Sequence, residues 1–162
     1  MRSYFTRLFD YDKHANHLML DAIAKVENTE KPLKLISHLL SAQQIWFNRC
    51  SSLAVTGIIL WPEWPAETLR TMTDENHDKW ISFLTQLEEK DFENIISYKN
   101  LKGDPFENKL SDILAHVINH GTHHRGQVTA MIRQLGRTPT NLDLIRYHRS
   151  VVAEQLVEPA AR

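Results

Sequence analysis

Histidine is concentrated in one short part of the sequence. The chain of 162 residues contains nine histidines, and His116, His120, His123 and His124 follow one another closely. Two imidazoles four residues apart, such as those of His120 and His124, lie on the same face of a helix. They can therefore bind one ion without bending the backbone. The spacing predicts that this segment supplies metal ligands.

The apolar stripe of the predicted helix indicates which histidines point inward. Apolar periodicity predicts a helix from Ser111 to Leu135. The stripe comprises Leu110, Ile113, Leu114, Val117, Gly121, Val128, Met131, Ile132 and Leu135. On the same helical wheel, His124 falls inside the stripe and His120 falls at its border, whereas His116 and His123 lie further round. We therefore expect His120 and His124 to be the inward pair.

A third ligand has to come from another helix, and His38 is the candidate. It lies at the border of a second buried face, flanked by Leu35, Ala42 and Ile45. Three neutral imidazoles leave at least one coordination position open, as in catalytic sites and unlike closed structural sites. Imidazole ligands suit zinc, nickel, iron or copper better than calcium or magnesium. The predicted metal ligands are His38, His120 and His124.

Partly buried histidines also have a simpler explanation. Pairs at this spacing occur on ordinary helices, and backbone carbonyls or a carboxylate can satisfy their nitrogens. We expect this, or solvation, for His116 and His123. Metal binding is favoured for the inward pair because a polar group left without a partner in a core costs roughly 1–3 kcal/mol.

Two polar residues interrupt the apolar stripe of the first helix. Asp12 and Asn16 project into the middle of this stripe, one turn apart. A carboxylate that accepts a hydrogen bond from a ligating histidine would fix the tautomer of that ring. Asp12 and Asn16 are therefore candidates for supporting the metal ligands. An ion pair between Asp12 and Arg125 is the alternative, and the sequence leaves both open.

Tryptophan and cysteine residues give weaker signals. Trp61 and Trp64 are candidates for the wall of a pocket, although tryptophan is also a common core residue. The lone Cys50 falls on an apolar stripe and is expected to be inert packing. It has no second cysteine for an internal disulfide, which agrees with a reducing compartment.

Helices are expected to carry these residues. Apolar periodicity predicts the first helix over about residues 2–27 and the second from Pro32 to Leu53. The segment from Gly57 to Thr71 is predicted to be a long ordered loop because it combines two prolines and two tryptophans without a helical period. Thr73 is expected to cap a third helix that carries Trp80.

The second half of the chain predicts a hairpin and two more helices. Residues around Asn100 to Gly103 suggest a small hairpin before the last long helix. Gly136 and Pro139 are expected to end that helix, and residues 141–150 to form a short C-terminal helix. The last five residues are expected to be frayed. The fold class is therefore all-α, an up-and-down four-helix bundle.

Composition limits the classes of function. The length fits one domain over residues 1–162. The net charge of −1 gives no general attraction to nucleic acid or membranes, and neither partner is expected. A weak basic patch could at most form from Arg125, Arg133, Arg137, Arg146 and Arg149. No secretory signal or spanning segment is apparent, so a cytoplasmic location is expected.

Several stretches resemble the DinB/YfiT-like family, which is distinct from the DNA polymerase of similar name. These are LFDYDKHAN (8–16), HLLSAQQIWFNR (38–49), HVINHGTHHRGQ (116–127) and PTNLDLIRYHR (139–149). The resemblance implies a four-helix bundle, metal ligation by His38, His120 and His124, and a homodimer. Lys13 and His14 stand where many members have an aromatic residue. This departure is predicted to lie on the outward face.

The leading functional prediction is a metal-dependent enzyme of the hydrolase or low-molecular-weight thiol transferase type. Zinc or nickel would be its ion, and its substrate would be a small molecule, for example a thiol. A non-catalytic metal-binding or stress-related module is the alternative, and a purely structural dimer is the third. Nothing in the sequence separates hydrolysis from thiol transfer.

Overall fold

The computed structural model describes the backbone of residues 1–157 and the side chains of residues 1–153, and it consists mainly of helices. The elements are α1 (Arg2–Ile23), α2 (Glu30–Cys50), α3 (Ala66–Gln86), β1 (Ile95–Lys99), β2 (Pro105–Lys109), α4 (Leu110–Gln134) and α5 (Leu144–Val157). A short 3₁₀ turn, Glu89–Glu93, precedes β1. The predicted helical bundle, with a hairpin before the last long helix and a short C-terminal helix, is confirmed. The expectation that the last five residues are frayed lies outside the described residues.

Two of the long helices that follow one another in sequence run in the same direction. In α1 and α3, His17 contacts Asp74 and Asp10 contacts His77, so these two helices are antiparallel. In α2 and α3, the order Gln43 to Phe47 matches Asn76 to Trp80, so these two helices are parallel. The 15-residue connection from 51 to 65 returns the chain before α3 begins. The helices therefore run up, down, down and up, and not alternately up and down as the sequence predicted.

The core has two apolar halves separated by a polar layer. One half is built around Phe9, Trp80 and Leu114, and the other around Met19, Leu40 and Val128. Between them the described polar side chains of Asp12, Asn16, Gln43, Asn76 and Arg125 are buried. These residues come from all four long helices, so the layer ties the bundle together at mid-height.

The start of α3 was predicted too late in the chain. The helix begins at Ala66 after Pro65, so the predicted loop ends well before Thr71. Thr73 lies inside the helix and does not cap it. Its buried hydroxyl donates to the carbonyl of Leu69 at 2.8 Å. Proline is compatible with helix starts, and here it marks the beginning of a helix where a longer loop was expected.

The ends of α1 and α2 were also predicted too far along the chain. The first helix ends at Ile23, and the second begins at Glu30 and ends at Cys50, which leaves Leu53 in the following loop and exposed.

The hairpin pairs Ile95 with Lys109 through Lys99 with Pro105. It leads directly into α4, which Gly136 follows at φ +74°. Over residues 1–157, no helix has the length and apolarity needed to cross a bilayer.

Candidate metal centre

Three histidines from two neighbouring helices lie close together. His38 is on α2, and His120 and His124 are on consecutive turns of α4. Each offers one ring nitrogen, and these nitrogens lie within 4.8 Å of one another. The Nε2 atoms of His120 and His124 are 3.1 Å apart. The structure thus brings together the three residues that the sequence predicted as metal ligands.

Hydrogen bonds fix the tautomers of two of the rings. The Nδ1–H of His38 donates to the carbonyl of Leu60 at 3.0 Å. The Nδ1–H of His124 donates to Oε1 of Gln127 at 2.8 Å. In both neutral rings the lone pair is therefore on Nε2. A hydrogen bond to the second nitrogen is the usual arrangement for a histidine that binds a metal.

The loop between α2 and α3 holds one ring from outside the bundle. Trp61 stacks on His38, with ring centroids 3.7 Å apart and an interplanar angle of 9°. The hydroxyl of Ser41 donates to the carbonyl of Ile59 at 2.5 Å and secures this part of the loop to α2. Trp61 therefore forms a wall of the site, whereas Trp64 packs against the core. Both tryptophans were candidates for the wall of a pocket, but only Trp61 contacts the site.

The environment of the three rings favours their neutral form. Burial is the main cause that lowers the pKa of His38 and His124. Burial, followed by the proximity of His124 and His38, lowers the pKa of His120 to about 4. All three imidazoles are therefore neutral at pH 7. A histidine has to be neutral to bind a metal, so no proton needs to be displaced there.

The donor set fits a borderline divalent ion. Zinc binds histidine nitrogen at about 2.0–2.1 Å, which places two ligands of a tetrahedron roughly 3.3–3.4 Å apart. The distance between the Nε2 atoms of His120 and His124, 3.1 Å, is close to this value. No carboxylate of residues 1–153 belongs to the cluster. Three imidazoles without a hard oxygen ligand suit zinc or nickel better than magnesium or calcium.

The other histidines have different partners. His123 accepts a hydrogen bond from Nε2 of Gln127, and the His116 ring lies 5.2 Å from that of Trp46. His17 pairs with Asp74 on the outside of the bundle. His14 is exposed and contacts α5. The described structure therefore places His116 and His123 beside the three-histidine cluster but outside it.

Asp12 forms an ion pair in the polar layer and does not contact a histidine. Nη1 of Arg125 donates to Oδ1 of Asp12 at 2.5 Å and to Oδ1 of Asn16 at 2.8 Å. The other oxygen of Asp12 accepts hydrogen bonds from Gln43 and Asn16. The prediction that Asp12 and Asn16 support a ligating histidine is thus wrong in this structure. The alternative, an ion pair with Arg125, is the one observed, because the buried guanidinium donates hydrogen bonds to both Asp12 and Asn16.

Burial also changes the interpretation of two other residues. Arg125 is 1% exposed, so it does not belong to the basic patch considered from the sequence. Cys50 is buried as expected, and burial raises the pKa of its thiol to about 12. A protonated thiol is a weak nucleophile, so Cys50 is packing.

A groove of about 430 Å³ begins at the histidines and runs between α2 and the hairpin. It is lined by His38, Ala42, Ile45, Trp46, Arg49, Leu60, Asn100, Leu101, Lys102, Asp104 and His120. The cluster therefore opens onto a space that can hold a small molecule.

Sequence reasoning did not identify several residues of this site. Gln127 and Arg49 end the family-like stretches 116–127 and 38–49, but the sequence predicted no role for either residue. Gln127 is three residues after His124, and side chains at this spacing meet on a helix, so the signal was available. The carbonyl of Leu60 had no such signal because its position depends on the path of a loop.

Comparisons with known proteins agree with this fold. The model of the DinB family matches residues 7–158. A curated relative, Protein DinB of Bacillus subtilis, is 26% identical over an alignment of 164 positions, which covers 89% of this chain and 94% of the relative. A crystal structure of a DinB-like protein from Bacillus cereus is similar, with a TM-score of 0.63 and 21% identity, and covers 85% of this chain and 94% of that one.

Proposed function

The chain belongs to the DinB family, and we propose that it is a metal-dependent enzyme that holds one divalent transition-metal ion on His38, His120 and His124. The observation that carries this proposal is the convergence of three ring nitrogens within 4.8 Å of one another. Zinc or nickel is the proposed ion because all three donors are imidazoles.

The surroundings of the cluster support a catalytic role. A divalent ion in this position would act as a Lewis acid that lowers the pKa of a water or thiol bound to it. His38 and His120 line the groove, so the cluster is accessible to a small substrate. Leu60, Gln127 and Trp61 hold two of the rings in place. The proposed reactions are hydrolysis or transfer of a low-molecular-weight thiol, carried out by a homodimer.

Metal titration tests the binding site. Protein purified without a polyhistidine tag is stripped with chelator and titrated with zinc and nickel in a calorimeter. We expect about one ion per chain. His124→Ala should abolish binding, and His38→Ala or His120→Ala should weaken it severely, because each removes one of three ligands. His17→Ala, on the outside of the bundle, is the control. The proposal fails if the wild type binds neither ion.

Activity requires a second experiment. Metal-loaded and metal-free proteins are compared on a panel of esters, amides and electrophiles with a thiol acceptor or donor. Turnover that depends on the metal and disappears in His124→Ala supports an enzyme. A protein that binds one ion but has no turnover across this panel would instead favour the non-catalytic metal-binding module.

A further inference from the structure

Arg49 lines the groove, and no described carboxylate forms an ion pair with it. It is in the last turn of α2, and its Nη2 donates to the carbonyl of Lys99 at 3.1 Å. Its guanidinium carbon lies 4.5 Å from the ring centre of Trp46 and 4.7 Å from that of Tyr98. Its Nε is buried and has no hydrogen-bond partner among residues 1–153, whose side chains are described. Arg49 forms no ion pair with any carboxylate of residues 1–153.

Arg125, which is fully buried, has the counter-charge that the partly buried Arg49 lacks among the described side chains. Arg125 is paired with Asp12 and also contacts Asn16. The described partners of the Arg49 guanidinium are the carbonyl of Lys99 and the rings of Trp46 and Tyr98, and burial lowers the pKa of this guanidinium. A partly desolvated cation is costly unless a negative charge compensates it. An anion that enters the groove would supply this missing charge.

Arg49 and His38 lie on the same side of α2. They are 11 residues apart, which is close to three turns, so their Cα atoms are separated by about 16 Å along the helix axis. Helix side chains lean toward the N-terminus, which brings the guanidinium back toward His38. Ala42 and Ile45 line the groove between them. The groove therefore has a cluster of metal-binding type at one end, an apolar middle and a cation at the other end.

We propose that the groove binds an elongated small molecule whose metal-binding group, such as a thiol, lies at the histidines and whose carboxylate binds Arg49. This inference rests on the proposed function, because the histidine end needs its metal ion. Lys102 adds a second positive charge at the rim of the groove. The carboxylate of Asp104, also at the rim, accepts a hydrogen bond from Asn100. Arg49 is thus the residue that selects anionic substrates.

A purely structural role for Arg49 makes a different prediction. In that case the arginine only fastens the hairpin to α2 through Lys99 and the rings of Trp46 and Tyr98. Removing it would lower stability and weaken all ligands of the groove to the same extent. If Arg49 recognises the anion, its removal should instead abolish the difference in affinity between charged and neutral ligands of the same length.

The test compares 8-mercaptooctanoic acid with 8-mercaptooctan-1-ol by calorimetry. The two probes have the same thiol and chain and differ in the negative charge. We expect the zinc-loaded wild type to bind the acid about ten-fold more tightly at low salt, as one charge-assisted hydrogen bond supports. The preference should disappear in Arg49→Met and be smaller than in the wild type in Arg49→Lys. Arg133→Met, which removes an exposed arginine outside the groove, is the control.

The outcomes separate this inference from the metal site. Equal binding of acid and alcohol by the wild type, or an unchanged preference in a folded Arg49→Met, overturns the inference even if zinc is bound. Failure to bind either zinc or nickel contradicts the proposed function, and the acid and alcohol are then compared on the metal-free protein. If the metal-free protein prefers the acid and this preference depends on Arg49, the anion subsite alone is supported. If the metal-free protein shows no such preference, this inference is overturned as well. Circular dichroism confirms that each variant is folded.

Discussion

Gln127 links two histidines at the surface of the candidate metal centre. Its Oε1 accepts the Nδ1–H of His124, and its Nε2 donates to His123. This arrangement leaves the lone pair of His124 on Nε2, which faces His120. The amide therefore holds the candidate ligand His124 in the tautomer that metal binding requires, without belonging to the three-histidine cluster itself.

Replacing Gln127 with alanine should weaken zinc binding. Without this amide, nothing would hold the proton of His124 on Nδ1, and we expect the zinc affinity to fall roughly ten-fold. This is the smaller end of the effect usual for residues that hydrogen-bond to a metal ligand, because Gln127 is exposed to solvent. Gln134→Ala, an exposed glutamine near the end of the same helix, is the control. Zinc titration of both variants measures the difference. Equal affinities for wild type and Gln127→Ala would show that the tautomer does not depend on this amide.

Asp12 affects the molecule through the polar layer and not through the histidines. Asp12→Asn leaves the buried guanidinium of Arg125 without its counter-charge, and breaking a buried pair costs about 3 kcal/mol or more. We expect this loss in the free energy of unfolding, with the zinc affinity of the folded protein nearly unchanged. Asp21→Asn, which breaks an exposed pair with Arg70, should cost about 1 kcal/mol or less.

Urea unfolding of the metal-free proteins and zinc titration of the same samples separate the two effects. A loss of zinc affinity in Asp12→Asn without a loss of stability would contradict a purely structural ion pair between Asp12 and Arg125. It would indicate that Asp12 supports a metal-binding histidine.

At the scale of the elements, helical periodicity was a good guide to faces and a poor guide to ends. It placed His124 inward, His120 at the border and His38 on the facing helix, and the structure brings these three together. It could not give the start of α3 because Trp61, Pro62, Trp64 and Pro65 interrupt the apolar period. It also could not give the hydrogen bond from His38 to Leu60, which depends on how the loop folds back onto α2.

Gly121 and Gly126 of α4 provide a matched test of the close packing between α1 and α4. A Cβ at Gly121 would lie 2.7 Å from Oδ1 of Asp12 and 3.0 Å from Nη1 of Arg125, whereas one at Gly126 would meet nothing within 4 Å. Gly121→Ala should therefore destabilise the protein by about 1–3 kcal/mol through overpacking. Gly126→Ala should stabilise it by up to about 1 kcal/mol through helix propensity.

Urea unfolding of the two alanine variants measures both effects. A Gly121→Ala protein as stable as Gly126→Ala would show that the ion pair can move away from α4 without cost.

At the scale of the whole molecule, the candidate metal centre lies between α2 and α4 on one side of the bundle. The native state brings the three ring nitrogens together and the unfolded chain does not, so an ion that binds them should stabilise the fold. At a free zinc concentration 100 times the dissociation constant, the expected gain in the free energy of unfolding is about 2.7 kcal/mol.

Thermal and urea unfolding with zinc, with chelator and with neither measure this gain. Zinc should raise the stability of the wild type, and chelator should reverse the change. His124→Ala should respond to neither. A similar stabilisation of His124→Ala would mean that the ion binds elsewhere.

The composition, the helical stripes and the histidine spacing were sufficient to predict a helical bundle and the members of the cluster. They were not sufficient for the direction of α3, because the 15-residue connection before it is compatible with either orientation. Nor did they indicate which of two partners Asp12 would take. Both alternatives satisfied a buried carboxylate, and only the position of Arg125 beside α1 decides between them.

The most direct test of the central claim is an anomalous difference map from crystals of zinc-loaded protein, with data collected at the zinc absorption edge. We predict one peak per chain, at about 2.0–2.1 Å from Nε2 of His38, His120 and His124. The corresponding peak should be absent from crystals of His124→Ala. A peak on His116 or His123, or no peak in the wild type at saturating zinc, would contradict the assignment of the metal centre.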